Sequence, residues 1–159
     1  MDLRIVYALI LSILPISELR GGLPLAIMFA KDYNIPIALI FPTIILVNIL
    51  AIFIAFFFFD HIHNKLMNVK IYKKIFNYCT LKIQKKVDRF EKKYSTTGFL
   101  ALTLFVGIPL PGTGAWTGCI IAWILGLDRK RSILAISLGV LMAGILVLLG
   151  TLGFLNLFS

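Results

Sequence analysis

The chain has 159 residues, of which 60% are hydrophobic and 14% charged, and its net charge is +9. Soluble domains carry about 25% charged residues, so this composition argues against one and for a membrane protein. Ten of the 16 Lys and Arg residues fall between Lys65 and Lys93, and in so apolar a chain such a block suits an anionic membrane surface better than nucleic acid.

In chain order, Ile5–Pro15 is an apolar stretch of signal-peptide length. Asp2 and Arg4 cancel ahead of it, and no small-residue cleavage site follows, so it reads as part of the fold. The first half, residues 1–59, begins with apolar segments at 3–16 and 23–30, interrupted by Ser17–Gly22 and closed by the turn Lys31-Asp32-Tyr33-Asn34. A charge-free helix follows over 35–59; its 25 residues reach ~37 Å, enough for the ~30 Å hydrocarbon core. The second half, 96–159, repeats the plan. Apolar segments at 99–108 and 115–127 flank Pro109-Leu110-Pro111-Gly112-Thr113-Gly114. The turn Asp128-Arg129-Lys130-Arg131 leads into a spanning helix over 131–157. The short segments rise only ~21 Å, too little to cross. Paired interrupted segments in corresponding places point to an internal repeat with a midplane site.

Charge placement decides how the short segments run. If 3–30 and 97–127 both return as re-entrant hairpins, thirteen cations share the cytoplasmic face and only Arg4 and Lys31 lie outside. The expected fold is therefore an all-α membrane protein of the cytoplasmic membrane. It is an inverted repeat of re-entrant helical hairpin plus transmembrane helix, with both termini outside. Between the repeats, residues 60–95 place Ile71, Ile75, Cys79, Ile83, Val87, Phe90 and Tyr94 at helical spacing among lysines. This pattern predicts a basic amphipathic helix on anionic lipid, or alternatively a solvated cap.

Glu18 and Arg20 are the sharpest candidates, because an ionisable residue at membrane depth marks a functional site by default. Gly21, Gly22 and Pro24 beside them open the backbone, and Arg20 can bind phosphate or carboxylate through its planar fork. Glu18 can pair with Arg20, which is the purely structural reading, or carry a proton. The partner break offers Pro109, Pro111, Gly112, Thr113 and Gly114, with Trp116 and Thr117 just beyond. Helix N-termini near Leu23 and Ala115 would aim positive dipole ends at an anionic head group. Trp116 either stacks on substrate or packs the tip. Asn48, within the first span, is expected to bond across helices. Cys79 and Cys119 are read as packing residues. His61 and His63 beside Asp60 make a weak metal signal and read as interfacial polar residues. No metal or cofactor site and no nucleophile–base pair is expected, hence no enzyme. One chain of this size offers little material to enclose a pathway, so a homodimer is expected; Gly139, Ala143 and Gly144 form a small-residue face suited to it or to packing within the chain.

Glu18-Leu19-Arg20-Gly21-Gly22-Leu23-Pro24, together with Pro109-Leu110-Pro111-Gly112-Thr113-Gly114-Ala115-Trp116-Thr117-Gly118, resembles the small multidrug export protein family of prokaryotic membrane proteins. The second half also resembles the DedA membrane proteins. Here Phe105-Val106-Gly107-Ile108-Pro109 precedes Gly126-Leu127-Asp128-Arg129-Lys130-Arg131 and then Gly139. The DedA resemblance implies re-entrant tips with acidic and arginine residues, and transport of polyprenyl-phosphate carriers. The second tip departs from that pattern in having no arginine between Pro109 and Gly126. Three functions follow as expectations: a transporter or flippase for an anionic amphiphile such as polyprenyl phosphate, proton-coupled through Glu18; an exporter of small cationic drugs; or a non-transporting membrane scaffold.

Overall fold

The computed structural model describes residues 3–15, 17–66, 94–110 and 112–157, all of them helix, turn or irregular. The predicted amphipathic helix lies outside the described residues, apart from its two ends. Residues 60–66 belong to the preceding helix and 94–95 begin the next one. Six helices are described: α1 Leu3–Ile13, α2 Glu18–Asp32, α3 Ile37–Leu66, α4 Tyr94–Gly107, α5 Ala115–Ile124 and α6 Arg129–Leu157. Two stretches, Ile37–His61 in α3 and Arg129–Leu155 in α6, are long and apolar enough to cross a bilayer.

The first interruption is 14–17, upstream of the predicted Ser17–Gly22. Pro15 disfavours helix at the residue before it, whereas the glycines are tolerated inside α2. A Cβ on Gly22 would strike the Cβ of Ser12 and lie 2.9 Å from the carbonyl of Ala8. Gly22 therefore lets α2 fold back closely along α1. Pro24, also inside α2, leaves the Arg20 carbonyl without its helical donor. The second interruption follows Gly107 and ends at Ala115, close to where Pro109–Gly114 predicts it. The two long helices begin at 37 and 129 and run to 66 and 157, against the predicted 35–59 and 131–157.

Both helices that follow a break stop in the same way. After α2, Asn34 turns left-handed (φ 53°) and Ile35 N–H donates to Ala30 O at 2.9 Å. After α5, Gly126 does so (φ 62°) and Leu127 N–H donates to Ala122 O at 3.0 Å. These bonds satisfy carbonyls that a helix end leaves orphaned. Each is then followed by a residue that starts a long helix. Pro36 precedes α3, and Asp128 caps α6 by accepting the Arg131 N–H on Oδ1 at 2.9 Å.

The core lies where α2 and α5 each pack against both α3 and α6. Val106 of α4 is 1% exposed and wedges against Gly118 of α5 and Gly139 of α6, each of whose added Cβ would approach it to 2.7 Å. Gly144 is filled likewise by Ile45 and Phe41 of α3, and Ala143 is buried. The small-residue face thus holds this chain's own helices together, which removes the sequence support it lent to a homodimer. On the outer sides, Leu46, Leu50, Phe53 and Phe57 of α3, with Leu134, Leu138 and Leu149 of α6, are exposed. Apolar faces this continuous fit contact with lipid.

Candidate functional site

The two interruptions meet, and each completes the helix ends of the other. The Glu18 carboxylate reaches the start of α5. Its Oε2 accepts the Ala115 N–H at 3.2 Å and its Oε1 the Trp116 N–H at 3.1 Å. These are among the first N–H groups of α5, which have no partner within their own helix. The carboxylate also meets the positive end of the helix dipole. Arg20 reaches the end of α4. Its guanidinium donates to the Leu110 carbonyl, to the Ile108 carbonyl at 3.3 Å and to Thr113 Oγ1 at 2.7 Å. The planar fork suits such a set of acceptors, since it presents several donors in fixed directions. Trp116 completes the exchange by donating from Nε1 to the carbonyl of Ile13, the last residue of α1, at 2.8 Å. Its ring packs edge-on against Phe58 and Phe59, so the tip-packing reading of Trp116 describes this state.

Local geometry serves the same purpose. Glu18 adopts a left-handed backbone (φ 46°), which costs an L-residue about 1–2 kcal/mol. Such strain is held at sites that the surroundings over-determine. Gly114 is the counterpart: a Cβ there would occupy the position of the Glu18 carboxylate. Gly112 is left-handed as well (φ 82°) and exposed. Thr113 donates back to the Ile108 carbonyl at 2.8 Å. Thr117 Oγ1 accepts the Gly114 N–H at 2.7 Å, tying off the start of α5. Ser17 bonds the Leu11 carbonyl.

Among the described residues Glu18 and Arg20 make no ion pair with each other. The purely structural reading, a Glu18–Arg20 pair, is thus not what the structure shows; both charges instead bond backbone groups of the other half. Of the predicted site residues, Glu18, Arg20, Thr113, Gly114, Trp116 and Thr117 are brought together. Gly112 and Pro109 belong to the same turn, Gly21 packs on Ser17, and Pro111 lies outside the described residues. Two are displaced. Gly22 faces α1, and Pro24 lines a separate groove with Met28, Val147 and Phe154. The predicted helix N-terminus near Leu23 is at Glu18 instead.

Between the tips lies a cavity of only about 10 Å³, bordered by Glu18, Arg20, Asn48, Gly114, Val140 and Ala143 among others. That is room for about one water molecule, so this state is closed to any larger ligand. Asn48 is 1% exposed and donates to Ile44 O of its own helix at 3.0 Å, not across helices as expected. Val140 and Ala143 carry no chemical signal in the sequence and enter the site only through packing.

A second cross-link went unread in the sequence. Asp60, near the far end of α3, pairs with Arg129 of α6 at 2.5 Å and accepts the Trp123 Nε1–H of α5 at 3.2 Å. Arg129 also lies over the Phe56 ring at 4.3 Å. The available signal was Asp60 itself, the first acid after a 25-residue charge-free run. His61, read as interfacial, has its Nδ1 2.9 Å from the Phe57 carbonyl.

A family model described as "Putative small multi-drug export protein" matches residues 18–146. The chain belongs to that family. The match begins at Glu18, the residue that caps α5, and takes in the second interruption, all of α3 and the first part of α6. No curated protein and no solved structure matches the chain. Family membership and the two apolar helices make this member of the export family a membrane protein.

Proposed function

We propose that this export-family protein is a transporter that moves an anionic amphiphile past the meeting point of two re-entrant hairpins. The hairpins would be α1–α2 and α4–α5, inverted relative to one another, with α3 and α6 as the spans. The supporting observation is the Glu18 carboxylate on the Ala115 and Trp116 N–H groups. A helix N-terminus already selected for a carboxylate is a ready acceptor for a phosphate or carboxylate of substrate. Arg20 stands at the same junction to receive that anion as a bidentate partner.

In this reading the closed state uses Glu18 as a built-in anion. Protonation of Glu18 removes its charge and weakens its hold on the α5 N-terminus, which frees the two N–H donors. Substrate then takes its place, and return of the carboxylate expels it. Proton coupling follows from the competition of two anions for one set of donors. A polyprenyl phosphate fits the chemistry, its head group at the tips and its chain along the lipid-exposed faces. Export of cationic drugs is the second reading. It is favoured by the carbonyls of Ile108 and Leu110 around Arg20, a cage that a substrate cation can also enter.

Flux into proteoliposomes separates the two readings. Labelled polyprenyl phosphate should be carried and driven by a pH gradient, and Glu18→Gln should retain binding but lose the gradient dependence. Uptake of cationic dyes with no phosphate flux would replace the first reading by the second. Hairpin topology is checked by cysteine labelling in a Cys79→Ser, Cys119→Ala background. Position 130 should react from the cytoplasmic side, together with residue 65. Labelling of position 130 only from outside would mean that α4 and α5 cross the membrane.

A further inference from the structure

A second cavity opens at the start of α6, and its chemistry is distinct from that of the tips. It measures about 120 Å³ and is lined by Gly98, Phe99 and Leu102 of α4, by Leu127 and Asp128, and by Arg131, Ser132 and Ala135 of α6. Ser132 stands eight residues from Val140, the nearest α6 residue at the tip cavity, or ~12 Å along the helix. The two sites therefore do not overlap.

Ser132 is 2% exposed, yet its hydroxyl has no hydrogen-bond partner among the described residues. A buried hydroxyl left without a partner is costly and calls for a ligand or water. It sits in the first turn of α6, where the helix dipole favours an anion. Asp128, the one acid at the cavity, uses Oδ1 to cap the Arg131 N–H. Arg131 is exposed and lines the mouth, with Arg129 and Lys130 beside it. The remaining walls, Phe99, Leu102, Leu127 and Ala135, are apolar.

We propose that this cavity binds the phosphate head group of an anionic phospholipid, held by the Arg131 guanidinium and the Ser132 hydroxyl, with the first acyl carbons against Phe99, Leu102 and Leu127. A lipid is favoured over a free ion by position and lining. Arg129 opens the apolar stretch that is long enough to span, so the cavity lies at the level where head groups meet the hydrocarbon. An apolar wall offers a free phosphate nothing, but it suits a chain attached to one.

Native mass spectrometry of the detergent-purified protein, titrated with phosphatidylglycerol and with phosphatidylcholine, tests this. One phosphatidylglycerol per chain should be retained in preference to phosphatidylcholine. Arg131→Gln and Ser132→Ala should each weaken retention about fivefold or more, whereas Lys130→Gln, which removes a neighbouring cation that does not line the cavity, should leave it intact. Without lipid, Ser132→Ala should unfold no lower than the wild type, because the buried hydroxyl has no partner to lose and its removal relieves an unsatisfied group. Three results would overturn the proposal: an equal loss with Lys130→Gln, unchanged retention by Ser132→Ala, or displacement of the lipid by millimolar inorganic phosphate.

Discussion

Gly114→Ala should abolish transport and lower the unfolding temperature. The added methyl group would take the place of the Glu18 carboxylate, and overpacking a fitted site typically costs about 1–3 kcal/mol. The carboxylate would have to leave Ala115 and Trp116, whose N–H groups then lose their acceptor. A coupled response separates this cause from general misfolding. Glu18→Ala removes the colliding group, so the Gly114→Ala, Glu18→Ala double variant should be destabilised by less than the two single losses added together. It should still fail to transport, because the anion that closes the site is gone. Strict additivity of the unfolding free energies would show that the two positions do not oppose each other, and wild-type flux by Gly114→Ala would refute the closed-site geometry.

Arg20→Lys should be nearly as damaging as Arg20→Ala, although it keeps the charge. The guanidinium serves the Ile108 and Leu110 carbonyls and Thr113 Oγ1 together. An ammonium on a shorter reach is a point charge without the planar fork. Both carbonyls keep donors from Leu110 or Thr113, so what is lost is the set of charge-assisted bonds, each worth about 1.5–3 kcal/mol. Stability should fall by about 2 kcal/mol or more in Arg20→Ala and by most of that in Arg20→Lys. Thermal unfolding in detergent or nanodiscs measures it. Full stability of Arg20→Lys would mean that only the charge matters and that the fork does not.

How much of this was legible in the sequence differs from residue to residue. Glu18 and Arg20 stood out because a charge inside an apolar half is expensive, and the second break announced itself through Pro109, Pro111 and two glycines. The first break was misplaced. Gly21 and Gly22 look like breakers, but Gly22 is small so that α1 can approach, while Pro15 sets the stop. The partners of the two charges were illegible, since they are backbone groups, which every residue carries alike. Only the fold says which peptide groups stand free opposite Glu18 and Arg20. The Asp60–Arg129 link was hidden for a similar reason, both residues reading as ordinary polar ends of apolar runs.

The exchange of caps between halves has a consequence for how the protein is made. Arg20 and the Leu110 carbonyl are 90 residues apart. At ~5–20 residues per second, synthesis of the intervening chain takes roughly 5–18 s. Throughout that interval the first half has neither an acceptor for Arg20 nor a donor for Glu18 from its eventual partner. The nascent half must keep both charges hydrated or otherwise shielded until the second half arrives. Expressed alone, either half would leave its own charges and helix ends without these partners. Supplied as two separate chains, they should rescue each other, because what each lacks is a set of bonds and not a covalent link.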